Sequence, residues 1–175
     1  MTMARHLRTV HVRALLLGIR WCKELLFTKV IGVVEEISKL TDQYFEEIPL
    51  HAALGVKLEK RAPDYACVSL KSSNTTRGGV AGGIHGGVMA ALVDIATIAA
   101  LFNKQPNDLK GYQPAGTADL NITYLRPALS PIIYAEAIVI KRGKMLAMIE
   151  VNIKDTNGVL CAKGRTLYAF RKETK

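Results

Sequence analysis

One carboxylate stands alone in an otherwise apolar run. From Val88 to Phe102 the only ionisable residue is Asp94, and every other side chain except Thr97 is apolar. A buried carboxylate is costly unless it is paired, hydrogen-bonded or protonated. An aspartate at such a position therefore points to chemistry. The alternative is that it faces a small polar pocket and ties down a loop, although no basic residue lies nearby in sequence to pair with it. Just upstream, glycines at 78, 79, 82, 83, 86 and 87 let the backbone approach a ligand closely. Gly86 and Gly87 open the apolar run, where the free N–H groups and dipole of a helix favour negative charge. An oxyanion forming on an acyl carbonyl is one such charge, and a phosphate is another. No Gly-Lys-Ser/Thr follows, which argues against nucleotide hydrolysis on a Walker loop.

His85 sits just before the helix. Of the four histidines (His6, His11, His51 and His85), it alone has a dense chemical neighbourhood. No HxxxH or HxxEH spacing accompanies it, so no metal site is expected, and a capping or structural role is the alternative. Cys22, Cys67 and Cys161 are far apart with no CxxC pair. A disulfide framework is not expected, and a reducing, cytoplasmic compartment is.

The elements that must position these residues are legible in outline. Ile31, Val34, Ile37, Leu40 and Tyr44 recur at helical steps, so an amphipathic helix is predicted from Ile31 to about Phe45, closed by Pro49. Leu54–Lys60 and Tyr65–Leu70 alternate around an Ala62-Pro63-Asp64 turn and read as a hairpin. The proline-free stretch 86–102 reads as a helix that is apolar nearly all round, and is therefore buried on most sides. It is too short, and too interrupted by Asp94, for a membrane span of about 20 residues. Four β segments follow: Thr117–Leu125, Ile132–Ile140, Leu146–Ile153 and Leu160–Phe170. They are separated by turn signals at Arg142-Gly143 and Asn157-Gly158. The order predicts an α+β fold in which an antiparallel sheet wraps a central apolar helix, with another subunit covering the remaining face.

Helix geometry adds a constraint. Gly86 and Asp94 are eight positions apart, about 12 Å at 1.5 Å per residue. One active site cannot easily use both from one chain. Two such helices, antiparallel across a two-fold axis, would bring Asp94 of one chain to Gly86 of the other, so a homodimer with shared sites is predicted.

The chain has 175 residues, 49% hydrophobic and 22% charged, which fits one globular domain with extra length at an end. Its net charge of +9 is uneven: Arg5, Arg8, Arg13, Arg20 and Lys23 precede the first acid, Glu24. Residues 1–30 read as a basic extension and 31–175 as the domain. The extension could be retained without a role, attach weakly to a membrane surface, or target the chain to the mitochondrial matrix. A nucleic-acid partner is not expected, because the remaining Lys and Arg are scattered and aromatics make up only 6%. Positive charge instead suits a phosphate-bearing small ligand.

The stretch Gly82-Gly83-Ile84-His85-Gly86-Gly87-Val88-Met89-Ala90-Ala91-Leu92-Val93-Asp94 resembles the HGG(x)nD signature of the PaaI-type (phenylacetate-pathway) thioesterases of the hot-dog superfamily. Thr117–Ala128, ending in Arg126-Pro127-Ala128, is similar to the family's long strand. Lys141-Arg142-Gly143-Lys144 resembles its basic turn, and Ile48-Pro49 with Leu54-Gly55 its entry segment. The resemblance covers roughly residues 42–170 and implies dimers paired into tetramers, and hydrolysis of acyl-CoA with no cofactor beyond the CoA of the substrate. Asp94 would then activate water or attack the thioester. The Gly86 N–H, with Gly87, would hold the oxyanion, His85 would shape that site, and Thr117 would place a hydroxyl near the water. Arg126, Lys141, Arg142 and Lys144 become candidates for CoA phosphates, with a solvated surface role as the alternative. Many relatives have an asparagine six residues before the histidine, and here that position is Gly79. Asn74, five positions earlier, could substitute if the loop folds back. The rival readings are a non-catalytic acyl-CoA-binding protein, which would not need Asp94, and a hydratase or dehydratase on the same fold, for which no second histidine is suitably placed.

Overall fold

Three hairpins and two longer connections, into and out of the third strand, build a single sheet. The computed structural model describes residues 42–102 and 111–172. The basic extension, and the predicted helix from Ile31 except for a helical segment at 42–47, lie outside the described residues. Among the described residues no helix is long and apolar enough to cross a membrane.

Pro49 does not simply close what precedes it. Ile48 is extended and Pro49 then opens a short helix, α1 (Pro49–Leu54). Proline is well suited to a first helical position, where its missing N–H has no partner to lose. Gly55, left-handed at φ 70°, ends α1, so β1 (Val56–Ala62) begins two residues later than the alternation from Leu54 implies. β2 (Tyr65–Lys71) returns after a two-residue turn in which Asp64 has φ 57°. The central helix α2 spans Gly86–Leu101. Beyond it come β3 (Tyr112–Tyr124), β4 (Ile132–Arg142), β5 (Leu146–Asp155) and β6 (Leu160–Lys172). The Asn157-Gly158 turn forms as predicted: Gly158 has φ 77°, and the Asp155 carboxylate accepts from the N–H groups of Asn157 and Val159.

The strand order is β1-β2-β4-β5-β6-β3, antiparallel throughout. β3 therefore sits at an edge, paired only with β6. It starts five residues before the predicted Thr117, because register shifts at Pro114/Gly116 and Thr117/Asp119 break the alternation. An edge strand tolerates both Pro114 and such bulges.

The core lies between α2 and the inner face of the sheet. Leu92, Val93, Ile95, Ala96, Ala99 and Ala100 are buried on the helix. Ala66, Val68, Ala135, Ala137, Ala147, Ile149, Val151 and Ala162 are buried on the strands. The abundance of alanine is what lets the helix approach the sheet so closely. At Gly164 even alanine is too large, since an added Cβ would lie 2.6 Å from Val93 Cγ1 and 3.3 Å from its Cβ. Valine is stiff at χ1 and cannot swing aside. Gly164→Ala should lower unfolding stability by about 1–3 kcal/mol through overpacking, measured as a reduced urea midpoint at unchanged slope.

Candidate active site

The glycine-rich loop folds back on itself before the helix begins. Arg77 and Ile84 bridge, Gly78 and Gly79 donate to the Gly83 carbonyl, and His85 N–H donates to the Thr76 carbonyl at 2.9 Å. Thr76 is fully buried, its hydroxyl accepting from Ser73 N–H. On the other side Ile84 N–H donates to the Ala128 carbonyl. Several glycines serve this self-packing rather than ligand approach. A Cβ at Gly79 would lie 2.5 Å from the Ile84 carbonyl oxygen, and one at Gly83 2.8 Å from that of Ala128. The asparagine that relatives carry at the Gly79 position therefore has no room in this loop.

His85 is the N-cap of α2, and its Nδ1 accepts from Gly87 N–H at 3.0 Å. In the neutral imidazole this leaves the proton on Nε2. The Gly86 N–H has no acceptor among the described residues. On the carbonyl side of the same residue, the Tyr124 hydroxyl donates to Gly86 O at 2.9 Å.

Two turns further on, the Thr117 hydroxyl donates to Asp94 Oδ1 at 2.5 Å. Thr117 lies opposite Tyr168 in the β3–β6 ladder, so both face the helix. Burial pushes the Tyr168 phenol above its ordinary range, and the negative charge of Asp94 adds to the shift. Phe102 and Phe170 pack on Tyr168, with ring centroids 5.5 and 5.4 Å away. Asp94 thus has a hydroxyl on one oxygen, an aromatic wall nearby, and no cationic partner among the described residues. It is only half-buried, in a stripe with Gly87, Ala91 and Ile98 that the sheet leaves uncovered. A carboxylate so held has the geometry a proton acceptor or nucleophile needs.

The comparisons with known proteins point to one family. Residues 81–162, which carry the end of the glycine-rich loop, α2, β3, β4, β5 and the start of β6, match the sequence model of the family described as Thioesterase superfamily. Over 142 residues the chain is 30% identical to a Saccharolobus solfataricus protein named "Putative esterase", covering 81% of this chain and 87% of that one. The chain belongs to the thioesterase superfamily. Its sheet-and-helix architecture is the hot-dog fold of that superfamily. It resembles the solved zebrafish thioesterase superfamily member 2 with a TM-score of 0.63 and 28% identity, over 74% of this chain and 94% of that one. It is also 40% identical over 87 residues to human acyl-coenzyme A thioesterase 13, a match covering 48% of this chain and 58% of that protein.

Within this thioesterase-superfamily chain the other candidate residues separate. Arg142 is tied down: it donates to Asp64 Oδ1 at 2.6 and 3.1 Å and to the Leu101 carbonyl at 3.2 Å. There it satisfies a helix C-terminus, where positive charge is favoured. Arg126 donates to the Leu160 carbonyl at 3.0 Å. Lys141 and Lys144 are exposed at the β4–β5 turn, and Asn74 is exposed in the loop ahead of Thr76. Among the described residues no cluster of three His, Cys, Asp or Glu side chains could hold a metal ion. Sequence reasoning missed Tyr124 and Tyr168. Tyr124 shares a strand face with Leu120 and Ile122, a visible signal, whereas Tyr168 is marked only by its register with Thr117. His85→Ala removes the cap and should lower stability by about 1 kcal/mol, measured by urea unfolding of the two proteins side by side.

Proposed function

We propose that the chain hydrolyses acyl-CoA thioesters to free acid and CoA, as a PaaI-type enzyme whose sites are shared across a homodimer. The observation that carries this reading is the Thr117–Asp94 hydrogen bond on the uncovered stripe of an otherwise buried helix. A carboxylate kept only to anchor a loop would be fully buried, whereas this one is half-buried, reachable from solvent and beside an aromatic wall. Asp94 acts as the general base for water or as the nucleophile, and Thr117 orients it. The Gly86 N–H of the other protomer stabilises the oxyanion as the carbonyl becomes tetrahedral. Because His85 already engages the Gly87 N–H, the oxyanion falls chiefly to Gly86.

The shared site rests on three features. Gly86 and Asp94 are about 12 Å apart along one helix, the stripe containing Asp94 is uncovered, and β3 has a free edge. A second chain docking there would cover both the stripe and the edge, and would bring its own Gly86 toward Asp94. Ile138 and Ile140, 44% and 52% exposed on the outer face of β4, offer apolar surface for pairing two dimers into a tetramer. Lys141 and Lys144 are the candidates left free for CoA phosphates. The name of the human relative, an acyl-coenzyme A thioesterase, supports the substrate class.

Asp94→Asn should keep the fold and lower turnover by about two orders of magnitude, measured as thiol release across a panel of acyl-CoAs. Turnover close to wild type in that variant would remove Asp94 from the chemistry, whereas thiol release at background by the wild-type chain would favour the acyl-CoA-binding reading. Sharing is tested by mixing Asp94→Asn and Gly86→Val chains, each inactive alone. Verified heterodimers should regain up to about half of one wild-type dimer's activity, since one of the two composite sites is then intact. No recovery would place each site within a single chain.

A further inference from the structure

Gly86 and Gly87 pose a mechanical problem for the function proposed above. A donor that stabilises an oxyanion must be aimed to within about 0.5 Å, yet two consecutive glycines have the freest backbone of any pair. They also occupy the first turn of α2, which lacks the full hydrogen-bond ladder.

The peptide joining them is gripped from both ends. Its N–H, that of Gly87, donates to His85 Nδ1 at 3.0 Å. Its carbonyl, that of Gly86, accepts the Tyr124 hydroxyl at 2.9 Å. The Tyr124 ring also lies tight against the place where a Gly86 side chain would stand: an added Cβ would be 3.3 Å from Cε1 and Cζ. Gly86 thus has a ring beside the position a side chain would take and a hydroxyl on its carbonyl, while its own N–H has no acceptor among the described residues.

We propose that Tyr124 is a positioning residue that, with His85, clamps the Gly86–Gly87 peptide and so aims the Gly86 N–H at the reacting carbonyl. The inference rests on the thioesterase reading and extends it to a residue with no contact to the reacting atoms. It also gives β3 two tasks, since the same edge strand carries Thr117, which orients Asp94. One strand therefore sets the orientation of both the donor and the carboxylate in each chain.

The test is steady-state hydrolysis by wild type, Tyr124→Phe and Tyr124→Leu, on the acyl-CoA that wild type cleaves best, with thermal midpoint and oligomer size measured on each. The phenylalanine keeps the ring and loses the hydroxyl. Its kcat should fall about tenfold with KM within about twofold, because the aimed N–H matters most once the oxyanion forms. Its midpoint and oligomer size should match wild type. The leucine removes the ring as well and should lose more. Wild-type kcat in Tyr124→Phe would overturn the clamp and leave the thioesterase reading standing. A fall in kcat that tracks a lowered midpoint or a dissociated oligomer would likewise overturn it, as a purely structural effect. A folded wild-type chain that cleaves no acyl-CoA would overturn the functional reading, and the clamp with it.

Discussion

Burial of a helix that is apolar on nearly every side governs the rest of this structure. Such a helix cannot lie on a surface, so the sheet must come close to it, and closeness requires small residues where the two cross. Alanines at 66, 135, 137, 147 and 162 and the glycine at 164 meet that requirement. Burying this much apolar surface stabilises the unit by roughly 25 cal/mol per Å², and that stability holds a carboxylate in place on the one stripe left open. Asp94 can be where it is because the rest of α2 leaves the helix no alternative orientation.

The glycines divide the work between construction and chemistry. Gly79 and Gly83 let backbone pack on backbone within the loop, so their role is steric. Gly86 makes room for the Tyr124 ring, and Gly87 gives its N–H to His85. What remains for a ligand, among the described residues, is one unpaired N–H at the start of the helix. A loop that looks generically suited to anions is thereby narrowed to one donor direction. The missing asparagine has the same origin, since a loop packed this tightly has no side-chain space at position 79.

Charge is similarly divided. Arg142 and Arg126 bind main-chain carbonyls, and Arg142 also bridges the end of α2 to the β1–β2 turn through Asp64. An arginine held in this way stiffens the scaffold, while Lys141 and Lys144 stay free in solvent. The basic Lys141–Lys144 turn reads as one patch in sequence but has two roles in the fold.

Much of the architecture was legible from the chain alone, because its signals are local. A proline-free run apolar nearly all round marks α2, β-branched residues mark β4, and Asn157-Gly158 marks the turn between β5 and β6. The loneliness of Asp94 in its run, and the glycines before it, needed no tertiary knowledge, nor did the eight-residue spacing that separates Asp94 from Gly86. Less legible were the start of β3, where two bulges and Pro114 disrupt the alternation, and Pro49, which opens a helix as readily as it closes one. Tertiary structure alone decided that Thr117 meets Asp94 across 23 positions, that Tyr124 meets Gly86 across 38, and that Tyr168 stands beside both Thr117 and the carboxylate. Those contacts depend on β3 crossing to the far edge to pair with β6 instead of with its sequence neighbour β4. Pairing of that kind is set by how the whole sheet closes over the helix, and no local pattern of residues encodes it.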